Sequence, residues 1–294
     1  MRRRAFLRQG SLAAASLGLA PFARGLAAPQ LAKRAQDRVT LGRSGLVVSR
    51  LAQGTGTSGF GRSSNQTRQL GLQGLADLLK AGVDQGLNFW DLADAYGSHP
   101  HAREALRSFK REQVVIMTKS WSRDEKGLRA DLDRYRRELG VEQIDLVLLH
   151  CLTDPDWPAR MAGPMAVLSE AKQKGIIRAH GVSCHSLGAL KAAAACDWVD
   201  VDLARLNPEG ASMDASVQEV VPVLAEMKRR GKGVIGMKIL GAGELTRRMD
   251  AALEYALASP VLDCFTIGAE SRGELDDLLR RIPAAATRAA ERAA

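Results

Sequence analysis

Eight short runs rich in Val, Ile and Leu recur along the chain, separated by longer amphipathic runs. The short runs read as strands at 50–54, 88–92, 114–118, 145–149, 179–183, 202–206, 233–238 and 264–267. They are apolar nearly throughout, as strands of a parallel sheet covered on both faces must be. Between them, residues 69–85 place Leu70, Leu75, Leu78, Leu79 and Val83 on one face of a helix. Further helices are expected at 128–138, 166–174, 187–195, 217–229, 248–257 and 274–281, with a shorter one at 101–108. Eight such units in one stretch of this length predict a closed (β/α)8 barrel over residues 38–283. Aromatic residues are only 4% of the chain, so the core must be aliphatic.

Residues 38–49 look like a small hairpin turning at Gly42-Arg43-Ser44-Gly45, ahead of the first barrel strand. A doubly wound fold would need a glycine-rich turn opening directly into a helix. Gln53 to Gly59 is glycine-rich but lacks that spacing, and no helix follows at once. Residues 284–294 are Ala-rich and polar, and are expected to form a loose tail.

The first 28 residues have a different character. Met1 to Arg8 is basic, Ser11 to Phe22 is weakly apolar, and small residues follow at Gly25 to Ala28. This is the layout of an export signal, too short for the ~20 apolar residues of a membrane span. Arg3-Arg4-Ala5-Phe6-Leu7-Arg8 resembles the twin-arginine consensus. The alternative is a basic amphipathic helix. The twin-arginine reading implies engagement of that translocase, a periplasmic or exported destination, cleavage near Ala28 and a linker at 29–37. It also recasts the charge. Residues 1–28 hold five Arg and no acid, so the formal charge of +9 falls to +4 without them. The remaining charges are mixed in sign along the helical runs, which leaves no nucleic-acid footprint.

The four cysteines, at 151, 184, 196 and 264, match no zinc or iron–sulfur spacing. An oxidising compartment would permit a disulfide, with Cys151–Cys184 the pair sharing one barrel mouth. Strand positions favour buried thiols instead.

The ends of barrel strands converge on one mouth. Asp91 and Tyr96 follow the second expected strand, Lys119 the third and His150 the fourth. Their chemistry is complementary. A tyrosine titrates near ~10 when free, and a neighbouring cation lowers that value. Lys119 supplies the cation and Asp91 can hold it by an ion pair. Tyr96 could then protonate a carbonyl oxygen. His150 could hydrogen-bond the same oxygen and stabilise developing charge. None of the four delivers hydride, so a nicotinamide cofactor is required. Alone, a strand-end Lys is usually solvated, a Tyr before Gly is often a turn residue, and a strand-end His is often structural. The four together, in order on neighbouring strands, outweigh those readings.

Asp91-Leu-Ala-Asp-Ala-Tyr96-Gly97 resembles the DxAxxYG signature of the aldo-keto reductase superfamily. The resemblance runs from about Val39 to Leu279. It implies a tetrad of Asp91, Tyr96, Lys119 and His150, with Asp94 a solvated loop acid. It implies that Ser183 and Cys184 stand where a Ser-Asn pair usually holds the nicotinamide carboxamide, with Cys a poor substitute. His185 could replace the Asn or cap the next helix. Leu203 occupies the place of a usual Gln, and Arg205 and Asn207 end that strand. Lys238, Leu240, Gly241 and Gly243 belong to a loop that would lie along the pyrophosphate, and Gly268 and Arg272 to the adenosine-ribose segment. Glu270 would repel a 2′-phosphate and Leu278 replaces a usual Asn. NADP(H) is the family default, with NAD(H) open. Trp121 is the expected substrate wall, with Trp157 and Phe60 as further candidates.

The resemblance thus implies an exported enzyme moving hydride between the cofactor and an aldehyde, ketone or alcohol. Two alternatives remain: a catalytically slight, nicotinamide-binding regulatory or scaffold subunit, and a barrel lyase or isomerase that uses no nicotinamide.

Overall fold

The computed structural model describes residues 32–293. The expected twin-arginine segment lies outside them. Strands β3 (Leu51–Gly54), β4 (Phe89–Asp91), β5 (Val115–Ser120), β6 (Ile144–Leu152), β7 (Ile177–Cys184), β8 (Val201–Arg205), β9 (Gly233–Met237) and β10 (Cys264–Ile267) form a closed barrel in chain order. All its pairings are parallel, and β10 closes the ring on β3. This is the expected (β/α)8 architecture.

The helices cover the outside: α1 (Asn65–Asp84), α2 (His99–Leu106), α3 (Glu125–Leu139), α4 (Trp157–Arg160), α5 (Ala162–Gln173), α6 (Leu187–Ala195), α7 (Val217–Arg229), α8 (Met249–Ala258) and α9 (Arg272–Ala293). Their starts follow local chemistry. Ser64, Asp124 and Ser186 accept hydrogen bonds from the first-turn amides of α1, α3 and α6. α3 stops at Gly140, which adopts a left-handed conformation (φ 68°). None of the described helices is long and apolar enough to cross a membrane.

The N-terminal hairpin is β1 (Arg38–Thr40) paired with β2 (Val47–Ser49). Leu41, Leu46 and Val48 are wholly buried and pack with the barrel-interior side chains. The Arg43 amide donates to Gly231 O at 2.7 Å, just before β9 begins. The hairpin therefore plugs the end where the strands start.

Two boundary expectations change. Residues 284–293 continue α9 rather than forming a loose tail. Ala285 and Ala286 are buried, and Arg288 reaches Glu254 on α8. The Ala-rich composition that suggests a solvated tail instead supplies small side chains for close helix packing. The described part of the expected linker is also docked, with Ala35 buried and its carbonyl accepting from the Leu51 amide at 2.9 Å.

Strand alternation sorts the residues. Phe89, Val115, Met117, Leu146, Leu148, Ala179, Val201 and Leu203 fill the barrel interior. Trp90, Ile116, Val147, Leu149, Val182 and Ala204 face the helices. The interior rows of six strands end at the opposite mouth on a polar residue, Asp91, Lys119, His150, Ser183, Arg205 and Thr266, while those of β3 and β9 end on Gly54 and Met237. Apolar layers below and polar caps above create a site at one end only.

Candidate active site

Asp91, Lys119 and His150 are almost wholly buried, and Tyr96 is half-buried above them. The Lys119 amine contacts Asp91 Oδ1, donates to Leu92 O at 2.9 Å, and lies 3.4 Å from Tyr96 Oη. The Tyr96 and His150 rings meet edge to face, with centroids 5.9 Å apart. The four residues singled out from the sequence are therefore brought together.

The signature around them has a physical reading. After β4, Asp94–Tyr96 forms a single 3₁₀ turn that ends on Gly97 at φ 66°. A Cβ on Gly97 would lie 2.0 Å from Arg62 O, so only glycine fits. Arg134 grips both oxygens of Asp94, at 2.7 and 2.9 Å. Asp94 is thus not a solvated loop acid; it clamps the turn that presents Tyr96. Thr55 on the neighbouring loop binds Asp91 O and Ser98 Oγ, each at 2.9 Å.

Gly56 and Gly59 are site residues that the sequence did not reveal. A Cβ on either would sit 2.4 Å from the Tyr96 ring. The glycine-rich stretch that fails as a dinucleotide fingerprint is instead the cradle of the tyrosine. Its spacing carries no such signal, because the ring arrives from another strand.

Protonation follows from burial. Burial raises the Tyr96 pKa and outweighs the opposing pull of Lys119, with Asp91 adding repulsion. The expected net lowering by Lys119 is therefore not what the site produces: Tyr96 is a neutral phenol that holds its proton firmly. Burial also opposes the charge on Lys119, but Asp91 and Tyr96 overcome it and the amine titrates above its ordinary value. Burial, then the Lys119 cation, drives His150 down to about 2, so its imidazole is neutral. A neutral imidazole has one donor and one acceptor nitrogen.

The expected cofactor residues divide. Ser183 ends the interior row of β7, and its hydroxyl accepts from the Cys151 amide at 2.9 Å. Cys184 points the other way, into the layer beneath the helices, and is fully buried beside Asp202. Its side chain faces away from the mouth that Ser183 reaches, as the two-residue period of the strand dictates. Leu203 fills the interior and Arg205, two residues on, reaches the mouth. Arg205 pairs with Asp214 at 3.1 Å and donates to His185 Nδ1. His185 leaves the capping of α6 to Ser186 and lies 3.0 Å from the Cys151 thiol. All four cysteines are free, so the Cys151–Cys184 bridge is not formed.

Lys238 directly follows β9 in a left-handed conformation (φ 58°), half-buried and with no ion-pair partner among the described residues. Burial and the Arg205 cation push its pKa down. Asn207 anchors this loop by donating to Lys238 O at 3.0 Å and Ala211 O at 2.7 Å. Leu240 is half-buried and leads into the turn Gly241–Gly243. Gly243 (φ 106°) has open space where a Cβ would stand, whereas a Cβ on Gly241 would meet Ala211 at 2.8 Å. Gly268 is required by its own chain, since a Cβ would lie 2.6 Å from Gln66 Nε2. Arg272 is exposed and paired with Asp276 at 2.9 Å, and Glu270 accepts from Asn65 at 2.9 Å. Leu278 on α9 is buried and lines a small apolar pocket with Leu75, Leu78 and Leu79 of α1.

Trp121 stands at the mouth, 42% exposed, its ring centroid 5.1 Å from that of His150. Phe60 projects into solvent. Trp157 is buried, its indole N–H donating to Ala189 O at 3.1 Å, and it lines a cavity beside Arg123 and Cys151.

Comparison with known proteins agrees with this fold. The chain is 23% identical over 249 residues to a D-threo-aldose 1-dehydrogenase of a Pseudomonas species, covering 72% of this chain and 73% of that one. It is 28% identical over 169 residues to an NADH-specific methylglyoxal reductase of Escherichia coli K12, covering 50% and 51%. A putative aldo-keto reductase from Pseudomonas aeruginosa has the same fold at a TM-score of 0.70, with 24% identity, 86% of this chain and 97% of that one covered. The holo form of an aldo-keto reductase from Bacillus halodurans gives 0.67 at 19% identity, over 86% and 96%. The sequence profile described as the aldo/keto reductase family matches residues 53–261, and the chain belongs to that family.

Proposed function

We propose that the protein is a nicotinamide-dependent carbonyl reductase, or an alcohol dehydrogenase in the reverse direction. The observation that carries this reading is the buried line from Asp91 through Lys119 to Tyr96 Oη, with His150 beside the tyrosine ring. A bound dihydronicotinamide would supply the hydride. Tyr96 holds the proton that the carbonyl oxygen takes up. Lys119 stands 3.4 Å away, so the phenolate left behind faces a cation. Asp91 and Leu92 O fix that cation in place. Neutral His150 donates a hydrogen bond to the carbonyl oxygen, orients it and stabilises charge as it develops. Trp121 covers one side of the substrate.

The donor set fits the cofactor. Lys238 is a half-buried cation with no acid of its own, beside an open glycine turn at Gly243, which suits a pyrophosphate. Ser183 would serve the carboxamide end, and Leu240, Gly241 and Gly268 shape the path of the chain around the cofactor. Arg272 is engaged by Asp276 and Glu270 adds negative charge to its segment, which favours NAD(H) over the family default NADP(H). We place the enzyme outside the cytoplasm through the twin-arginine pathway. Cofactor loaded before export would stay bound and be recycled by an alcohol and a carbonyl in turn. Replacing Arg3 and Arg4 with Lys should then block export of the full chain.

The test of the reading is a fluorescence titration with NADH and NADPH, joined to turnover of butanal by wild type and Tyr96→Phe. Binding with loss of turnover in Tyr96→Phe supports a reductase. Binding with equal, slight turnover in both supports a regulatory subunit. Turnover of another substrate without nicotinamide would support a lyase or isomerase.

A further inference from the structure

We propose that the mouth carries an anion subsite built on Arg123, which selects carbonyl substrates bearing a carboxylate or phosphate group a few bonds from the reacting carbon. The proposal rests on the carbonyl reductase reading and adds the substrate class.

Arg123 lies in the loop from β5 to α3, two residues after Trp121. Two contacts hold it. Its Nη2 donates to His150 O at 2.7 Å, and its guanidinium carbon lies 5.4 Å from the centre of the Trp121 ring. Trp121 in turn packs on the His150 ring. The guanidinium is therefore two ring contacts from the imidazole that would bind the substrate oxygen.

Its charge is not spent within the chain. No carboxylate lies within ion-pair distance of Arg123 among the described residues, although arginines nearby in the fold, such as Arg134 and Arg160, have such partners. A guanidinium has five N–H donors, and this one uses a single donor in the fold. The remaining planar donors suit a carboxylate or phosphate. Holding an arginine at a functional site by its backbone and aromatic contacts reduces what binding must order.

Space is present. Arg123, Cys151, Thr153, Asp154 and Arg160 line a cavity of about 290 Å³. Asp154 is the acid in this wall, and Arg160 neutralises it at 2.8 Å. Burial pushes the Cys151 thiol up, so it adds no negative charge. Arg123 is thus the uncompensated charge of the cavity. The backbone bends to form it: the β6–β7 register shifts between Leu149 and Leu152, and Cys151 takes φ 58°. Bulges of this kind re-aim side chains beside active sites.

The cofactor's own phosphates do not account for Arg123. β5 and β9 stand four strands apart in the eight-membered ring, so Arg123 is across the mouth from Lys238 and Gly243. The two cations serve different anions.

The test compares kcat/KM for succinic semialdehyde and for butanal, which match in length and differ in charge. Glyceraldehyde 3-phosphate against glyceraldehyde forms a second pair and decides between carboxylate and phosphate. Wild type should prefer the anionic member of at least one pair about tenfold or more. Arg123→Gln should bring that ratio close to one, with Arg123→Lys intermediate. Equal ratios in wild type and Arg123→Gln, or no preference in wild type, overturn the subsite and leave the reductase reading standing. Calorimetric titration with succinate and with inorganic phosphate is the second readout and needs no turnover. Binding that Arg123→Gln abolishes supports the subsite even if no aldehyde is reduced, in which case the reductase reading fails. An inactive protein with no Arg123-dependent binding of either anion overturns both.

Discussion

Replacing Gly56 with alanine tests whether the glycine cradle places Tyr96 for proton transfer. The new Cβ would lie 2.4 Å from both Cε2 and Cζ of the Tyr96 ring. Unbonded carbons settle at about 3.5–4.0 Å, so the pair must separate by roughly 1 Å. Gly59 blocks the other side, with its own Cβ position 2.4 Å from Cδ1. The ring must therefore tilt, or the loop must lift away from it. Either motion moves Oη relative to the Lys119 amine, now 3.4 Å away. A misplacement of about 1 Å near the chemistry costs on the order of 10²-fold in rate. That corresponds to about 2.7 kcal/mol of transition-state stabilisation. Overpacking should cost about 1–3 kcal/mol of fold stability besides. The assay is kcat for butanal reduction at saturating NADH, beside urea unfolding of the same samples. The expected result is a folded variant with kcat down about a hundredfold. Gly74→Ala in α1, whose Cβ would lie 3.2 Å from Leu70 Cβ and needs a shift of only a few tenths of an ångström there, is the control and should keep kcat. A folded Gly56→Ala enzyme with kcat within about threefold of wild type would refute the reasoning, since a displacement of this size should not be tolerated.

Lys119→Met should abolish measurable reduction and also cost about 3–5 kcal/mol in urea unfolding, because Asp91 is left buried without its cation; an unchanged urea midpoint would show that Asp91 finds another partner. His150 and His185 are held neutral, at about 2 and about 3, against an ordinary value of 6.5. The unfolded chain binds their protons first, so each contributes stability that is complete above about pH 6.5 and is lost as the pH falls toward its folded value. The expected slope is up to about 1.4 kcal/mol per pH unit for each, and His150→Asn should remove one proton's share of it in urea midpoints measured from pH 7 to 4. Asp202 has the opposite sign: burial lifts its carboxyl from 3.8 to about 7, against the weak pull of the neighbouring Cys184 thiol. Its share of stability is complete below about pH 4 and is lost as the pH rises through 7, so Asp202→Asn should stabilise the protein more at pH 8 than at pH 4, and an equal effect at both would show that burial does not raise its pKa.

The linear order of residues determined the barrel and the chemistry of its centre. Parallel strands buried on both faces leave a continuous apolar signal, and that signal placed all eight strands within a few residues of their observed bounds. Asp91, Tyr96, Lys119 and His150 were legible because each stands at or just beyond the C-terminal end of such a strand, and strand ends of a barrel must meet. The direction of a side chain at a strand end was less legible. Cys184 and Leu203 were aligned by motif, but the two-residue period of the strand turns Cys184 outward and leaves Arg205 at the mouth. Composition misled at the C-terminus, where small residues in α9 reflect close packing against α8. Closing the ring decided the rest. It brings Gly56 and Gly59 against a tyrosine some 40 residues distant in sequence and packs Trp121 against the His150 ring. It also takes Tyr96 and His150 out of water, which sets the direction of their pKa shifts ahead of the neighbouring charges. Periodicity and composition are local properties of a chain, whereas contact and desolvation arise only when distant segments share one interior.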